Sequence, residues 1–330
     1  LSDAALRRLR EAADAPDLSG TKYEIIERIG QGGMGTVYRA HDRHLARDVA
    51  LKVVRIPEMA PDVAARMLRE ARTLARLEHP GIVPVHDVGT LADGRVFYTM
   101  KLVRGAPLDA LPPAPLSDRL RIVERLCEAV AFAHAHGVIH RDLKPQNVMV
   151  GPFGEVLVMD WGVAKLLATA HASLGDEAAP DDTQTATDTG HGAVIGTPGY
   201  MAPEQAAGDT AGVDARADVY AIGAILRDLS TSATDAAVTD AVPTDRSGQL
   251  PRPLSAIIGL AMAAHPAHRY ADVTALARDV ASFRAGGPVS AYRENVFERA
   301  RRLAVRHSTP ILLVLAYLIM RVTFLAAFGR

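Results

Sequence analysis

Eight residues near the middle of the chain, His140-Arg141-Asp142-Leu143-Lys144-Pro145-Gln146-Asn147, carry one aliphatic side chain among charged and polar neighbours. Before them lies an apolar stripe at helical spacing, Leu120, Val123, Leu126, Cys127, Val130 and Ala131, which stops at Gly137. After them come the β-prone run Val148 to Val150 and then Asp160-Trp161-Gly162. Few chance sequences supply a helix, a charged loop, a strand and a second acidic turn in this order. With 330 residues, 48% of them apolar, the chain can bury a sizeable core around such a loop. The formal net charge of -1, from 37 basic and 38 acidic residues, gives no global basic field, so nucleic acid is not an expected partner. The single cysteine, Cys127, lies on the apolar stripe and reads as a buried small hydrophobe in a reducing compartment.

The residues around this loop divide into two kinds. Tyr23 to Val54 is rich in Ile, Val, Tyr and Gly, with a turn at His41-Asp42-Arg43, and predicts a strand meander. Pro61 to Glu78 predicts one helix, stopped by His79-Pro80-Gly81. Ile82 to Val88 and Arg95 to Val103 predict two further strands joined through the hairpin signal Asp93-Gly94. Beyond Pro112-Pro113 the pattern is helical, with Ser117 as the expected N-cap and further helices over Ala256 to Ala267 and Ala271 to Phe283. Leu166 to Gly192 and Ser230 to Gly248 lack apolar periodicity and read as loops. The fold class is therefore α+β in two lobes, a small β-rich one and a larger helical one.

Two motifs in the β-rich part carry chemistry of their own. In Gly30-Gln31-Gly32-Gly33-Met34-Gly35-Thr36-Val37, glycines let a strand turn approach a polyphosphate and expose backbone N–H groups to it. By itself that pattern also suits a plain hairpin. A dinucleotide-binding turn would open a helix at once, whereas the β-prone Thr36 to Arg39 follows here. In Val49-Ala50-Leu51-Lys52-Val53-Val54 a lysine sits inside an apolar strand pattern, where burial requires an anionic partner.

Taken in order, these motifs resemble the eukaryotic-like (Hanks-type) serine/threonine protein kinases found in bacteria, over about Tyr23 to Phe283. The resemblance implies ATP and Mg²⁺, or Mn²⁺, and protein substrates with Ser/Thr hydroxyls. Gly30, Gly32, Gly33 and Gly35 would cover the phosphates, and Lys52 would contact them while paired with Glu70. Ile29, Val37, Ala50, gatekeeper Met100 and hinge residue Val103 would enclose the adenine. Asp142 would accept the substrate proton, Lys144 would neutralise the transferred phosphoryl group, and Asn147 and Asp160 would hold the metal. Met201-Ala202-Pro203-Glu204 matches the family's Ala-Pro-Glu, with Arg269 as the expected partner of Glu204 and Asp218 as the brace of the catalytic loop. Two rival readings are a nucleotide-binding pseudokinase scaffold, which the intact Lys52, Asp142, Asn147 and Asp160 oppose, and a small-molecule kinase, which Gly196 to Glu204 opposes.

Trp161 stands where the family has phenylalanine, and Ser230 to Gly248 replaces its usual Thr-Gly-x-x-Pro-Phe turn. Thr183, Thr185, Thr187 and Thr189 suggest an autophosphorylated activation loop, with Arg141 as a phosphate partner and a homodimer for trans-autophosphorylation; polar filler is the alternative. Residues 1–22 read as an N-terminal extension without a signal peptide, 23–284 as the kinase domain divided near 103, and 285–309 as a basic juxtamembrane linker. Residues 310–329 read as a single transmembrane helix, with Arg299, Arg301, Arg302 and Arg306 before it placing the kinase domain in the cytoplasm at the plasma (inner) membrane. A C-terminal core helix or partner-binding helix is the alternative there, because Arg321 interrupts the run.

Overall fold

The computed structural model describes residues 16–32, 35–54, 75–161, 199–208, 213–231, 250–306 and 316–321. Five strands, β1 (Tyr23–Gly32), β2 (Gly35–Asp42), β3 (Arg47–Val54), β4 (Val85–Thr90) and β5 (Val96–Lys101), form an antiparallel sheet in the order β1-β2-β3-β5-β4. The central strand β3 is buried continuously from Val49 to Val54, which is why its sequence is an apolar run and not an alternation. Strand β2 begins at a glycine for a steric reason. Gly35 has φ +147°, and a Cβ there would lie 2.2 Å from the Val53 carbonyl oxygen of β3. The predicted meander and the hairpin at Asp93-Gly94 are both present, with Gly94 at φ +82°.

The strand expected from Ile82 begins at Val85 instead. Ile82 forms a parallel bridge with Val158, and the Val158 N–H donates to the Gly81 carbonyl at 2.8 Å. Those residues serve the junction between lobes rather than the five-stranded sheet.

The second lobe holds a small sheet of β6 (Ala106–Pro107), β7 (Val148–Val150) and β8 (Val156–Val158). Its helices are α1 (Leu116–Ala135), α2 (Pro203–Ala206), α3 (Arg216–Thr231), α4 (Arg252–Ala261), α5 (Val273–Arg284) and α6 (Val296–Arg306). Of the stripe read from the sequence, Leu120, Val123, Leu126, Cys127 and Val130 are buried on α1 and Ala131 is partly buried, and they share a core with Ile222 and Ile225 of α3, Leu254 and Ile257 of α4 and Leu276 and Val280 of α5. Each fully buried leucine or isoleucine there stabilises the lobe by about 1.5–3 kcal/mol relative to exposure. Cys127 lies in this core, and burial pushes its thiol well above the ordinary value.

Three boundaries differ from the sequence reading. Helix α1 starts one residue before Ser117, with Pro115 at the N-cap and no side-chain cap. The helix expected over Ala256 to Ala267 ends at Ala261 because Pro266 opens a separate 3₁₀ turn, Pro266–His268. The lobe also continues past Arg284: Asp279 accepts hydrogen bonds from the Ser290 N–H and hydroxyl, both at 2.8 Å, and the Ala291 N–H at 3.0 Å. That contact and helix α6 occupy ground the sequence reading gives to a linker.

No helix among the described residues is long and apolar enough to cross a membrane. The predicted transmembrane helix is therefore not found as such; of residues 310–329 only 316–321 are described, as an exposed helical piece. The helix expected over Pro61 to Glu78, and with it Glu70, lies outside the described residues but for its last few positions, as do Gly33 and Thr183 to Thr189.

Candidate active site

The charged loop is held from below by one carboxylate. Asp218, in the first turn of α3 and 1% exposed, accepts the His140 N–H at 2.8 Å, the Arg141 N–H at 2.8 Å and His134 Nε2 of α1 at 2.7 Å. Burial pushes its carboxyl up, but the His134 hydrogen bond and the neighbouring His140 outweigh that and hold it below the ordinary value. The buried His140 ring donates from Nε2 to the Met159 carbonyl at 2.8 Å, which leaves Nδ1 to accept the Asp142 N–H at 3.4 Å. Arg141 takes the left-handed conformation, φ +67°, an unusual state for a residue with a Cβ, and this turns the chain so that Asp142 faces the cleft.

Five side chains then line the cleft. Asp142 Oδ2 lies 3.0 Å from Lys144 Nζ, and Asn147 Nδ2 donates to the Asp142 carbonyl oxygen at 2.7 Å and to Oδ2 at 3.3 Å. Across the cleft, Lys52 Nζ of β3 pairs with Asp160 Oδ1 at 2.7 Å. Asp160 is the second left-handed residue of the site, φ +55°. Burial alone would push the Lys52 ammonium down, but the Tyr98 ring oxygen and the Asp160 carboxylate more than offset it, so the lysine stays raised. The anionic partner that the Lys52 strand pattern demands is thus Asp160 among the described residues.

An apolar cluster roofs and floors the space beside these groups. Ala50, Met100 and Leu157 are buried, with Val37, Leu102, Val103, Met149 and Met159 partly buried against them. Strand pairing explains the roof: Ala50 faces Met100, and Lys52 faces Val37 on one side and Tyr98 on the other. Gly30 and Gly35 flank the β1–β2 turn, and Gly32 has open space where a Cβ would stand, whereas Ile29 is 47% exposed on β1. The sequence reading missed Met149 and Leu157. Both lie on β7 and β8, two and ten residues after Asn147, and alternation along β7 was the signal available for Met149.

The remaining motifs act as supports. Trp161 is buried, donates from Nε1 to the Val158 carbonyl at 3.1 Å and lies 4.8 Å from the His140 ring. The indole therefore fits the pocket and adds a hydrogen bond that phenylalanine could not make. Arg269 grips Glu204 with two bonds of 2.7 Å and spends its other donors on the carbonyls of Arg216, Ala263 and Ala264. Gln205, which the sequence reading passed over, donates to the Arg141 carbonyl at 2.9 Å and so ties α2 to the catalytic loop.

A family model described as the protein kinase domain matches residues 23–241. The chain belongs to the protein kinase family. The match starts at the first strand and takes in both lobes through α3. Among similar proteins, the DNA damage-responsive serine/threonine-protein kinase RqkA of Deinococcus radiodurans is 44% identical over 215 residues, 62% of this chain and 29% of that protein. Serine/threonine-protein kinase PknB of Mycobacterium leprae is 36% identical over 298 residues, 84% of this chain and 45% of that protein. The chain thus spans less than half the length of these curated relatives. A crystal structure of the Mycobacterium tuberculosis PknI kinase domain superposes with a TM-score of 0.57 at 28% identity, covering 80% of this chain and 96% of that one. The kinase domain is accordingly of the bacterial serine/threonine type, in the two-lobe fold.

Proposed function

We propose that this kinase transfers the γ-phosphate of ATP to Ser/Thr hydroxyls of proteins, with Asp142, Lys144, Asn147, Asp160 and Lys52 in the roles their positions suit. The observation that carries the proposal is that Lys52 of the β-rich lobe meets Asp160 of the helical lobe at 2.7 Å, while Asp142 and Lys144 pair at 3.0 Å in the loop of the helical lobe. Asp142 accepts the proton of the attacking hydroxyl, and Lys144 beside it offsets charge on the transferred group. The apolar cluster of Val37, Ala50, Met100, Val103 and Met149 takes the adenine.

The metal fits this donor set. With its Nδ2 spent on Asp142, Asn147 keeps Oδ1 for a cation, and Asp160 offers a carboxylate that is 33% exposed. Two hard oxygen ligands suit Mg²⁺, which keeps its waters and completes its shell on substrate phosphates. Asn147 and Asp160 would hold the cation, which when bound would supply charge neutralisation to the substrate phosphates, and Lys52 adds its own positive charge beside Asp160.

The finer reading includes a membrane anchor and trans-autophosphorylation between two copies. The apolar run Ile311 to Met320, preceded by Arg299, Arg301, Arg302 and Arg306, supports a single span with the kinase domain cytoplasmic at the plasma membrane. The left-handed Arg141 beside Asp142, and the threonines Thr183 to Thr189, support phosphate-dependent ordering of the intervening segment. Labelled ATP and Mg²⁺ with the purified chain and its Asp142→Asn variant tests the central claim. Phosphothreonine between Thr183 and Thr197 that vanishes in the variant supports it, and nucleotide binding without incorporation returns the chain to the scaffold reading.

A further inference from the structure

Helix α6 (Val296–Arg306) reaches its own lobe through Glu298 and leaves Val296 and Phe297 exposed. Its start is fixed by a reciprocal cap: Asn295 Oδ1 accepts the Glu298 N–H at 2.8 Å, and Glu298 Oε2 accepts the Asn295 N–H at 3.0 Å. Two side chains one turn apart pin it down. Glu298 accepts the Tyr292 hydroxyl at 3.0 Å and lies 3.8 Å from Arg252 of α4, while Arg302 pairs with Glu294 through bonds of 2.9 Å. Positions 298 and 302 share one face of a helix with 3.6 residues per turn, so the opposite face centres on Ala300 and takes in Val296 and Phe297. Val296 is 81% and Phe297 86% exposed. In sequence, Leu303 and Ala304 recur three and four places after Ala300, and Arg299 and Arg306 are seven residues apart, the spacing of an apolar stripe with a basic edge.

We propose that α6 lies in the plane of an anionic lipid surface, with Phe297 and Val296 inserted at the headgroup boundary and the bordering arginines on lipid phosphates. An apolar stripe edged by arginine is the pattern of interfacial helices, and the charge is complementary to a cytoplasmic leaflet. The chain reaches the apolar run at Ile311 five residues after the helix ends, which sets the stripe beside the bilayer. The inference rests on the membrane reading above, and the two separate in experiment. Because Glu298 of α6 bonds Tyr292, which packs against the core of the lobe, and lies near Arg252, this contact would bias the orientation of the catalytic lobe at the surface and not merely tether it.

The buried Cys127 is the only native cysteine, so Phe297→Cys and Tyr317→Cys variants of the full chain can each carry one polarity-sensitive fluorophore. Both are reconstituted into phosphatidylcholine vesicles with and without phosphatidylglycerol and read by emission shift and brominated-lipid quenching. The proposal expects shallow lipid burial of the probe at 297 that requires phosphatidylglycerol, and deeper burial at 317 in either lipid. Reversing Arg299 and Arg306 to Glu should weaken the 297 signal about 25-fold or more, at about fivefold, or about 1 kcal/mol, per arginine. A probe at 297 that stays aqueous while 317 is embedded overturns the proposal and leaves the span standing. Burial at 297 that ignores both lipid charge and charge reversal also overturns it, and aqueous probes at both positions sink the span as well.

Discussion

The floor of the helical lobe and the open cleft use charge in opposite ways. Asp218 and Arg269 are buried and multiply bonded, three donors on the one and four acceptor groups around the other. In the cleft, buried Lys52 is held by the part-exposed Asp160, and Asp142 and Lys144, both part-exposed, hold each other. Saturated groups position backbone and cannot be exchanged without leaving a buried charge unpaired. Paired groups with spare lone pairs or donors can trade partners when phosphate and cation arrive. The same residue types therefore serve as scaffold in one region and as chemistry in the other, and the difference is bond count: five bonds hold Arg269, whereas Lys52 has its bond to Asp160.

The comparison is sharpest where one carboxamide replaces one carboxylate in each region. Asp142→Asn should lower the phosphoryl-transfer rate about 10²–10⁴-fold while the melting temperature stays unchanged, since this side chain supports little structure; a rate assay beside a thermal melt checks it. Asp218→Asn should do the reverse in emphasis. It presents an amide N–H to donors already aimed at an acceptor, so denaturant titration should show a loss of about 3–5 kcal/mol, with activity falling only because the loop is released.

Titration separates the regions by pH. Asp218 and Glu204 both sit below their ordinary values in the folded chain, Glu204 because Arg269 overcomes the effect of burial. The unfolded chain therefore binds more protons in acid, and stability present above about pH 4 should drain as the pH falls further through the folded values. Lys52 is raised, so its contribution is complete below about pH 10.4 and is lost only at more alkaline pH. Unfolding free energy measured across pH should show the acid loss blunted in Asp218→Asn and the alkaline loss absent in Lys52→Met.

The smallest expected effects test the supports between the regions. Trp161→Phe removes the indole bond to Val158 and should cost about 0.5–1.5 kcal/mol by chemical denaturation, with ATP affinity preserved. Gln205→Ala removes a partner of the Arg141 carbonyl near solvent and should change stability by less than about 1 kcal/mol. A large rate loss there without a stability change would show that α2 positions the catalytic loop more strongly than one exposed bond implies.

Linear order carried most of what was legible. The strand meander, the hairpin at Gly94 and the buried stripe of α1 follow from local periodicity and turn chemistry, so they could be read before any contact was known. Arg269 as partner of Glu204, 65 residues away, was readable only through family resemblance. Gln205 was not legible, because the Arg141 carbonyl it bonds lies 64 residues away in sequence. Nor was it legible that Asp279 draws Ser290 and Ala291, at the start of the stretch read as a linker, back onto the lobe.

What the sequence determined by itself is the set of elements and the identity of the chemical groups, because periodicity, glycine freedom and proline geometry act within a few residues. What the tertiary structure decided is which charges meet. Whether Lys52 faces Asp160, or α6 turns Phe297 outward, depends on packing between segments tens to more than a hundred residues apart, and burial decides there which groups must be paired and which remain open to a ligand.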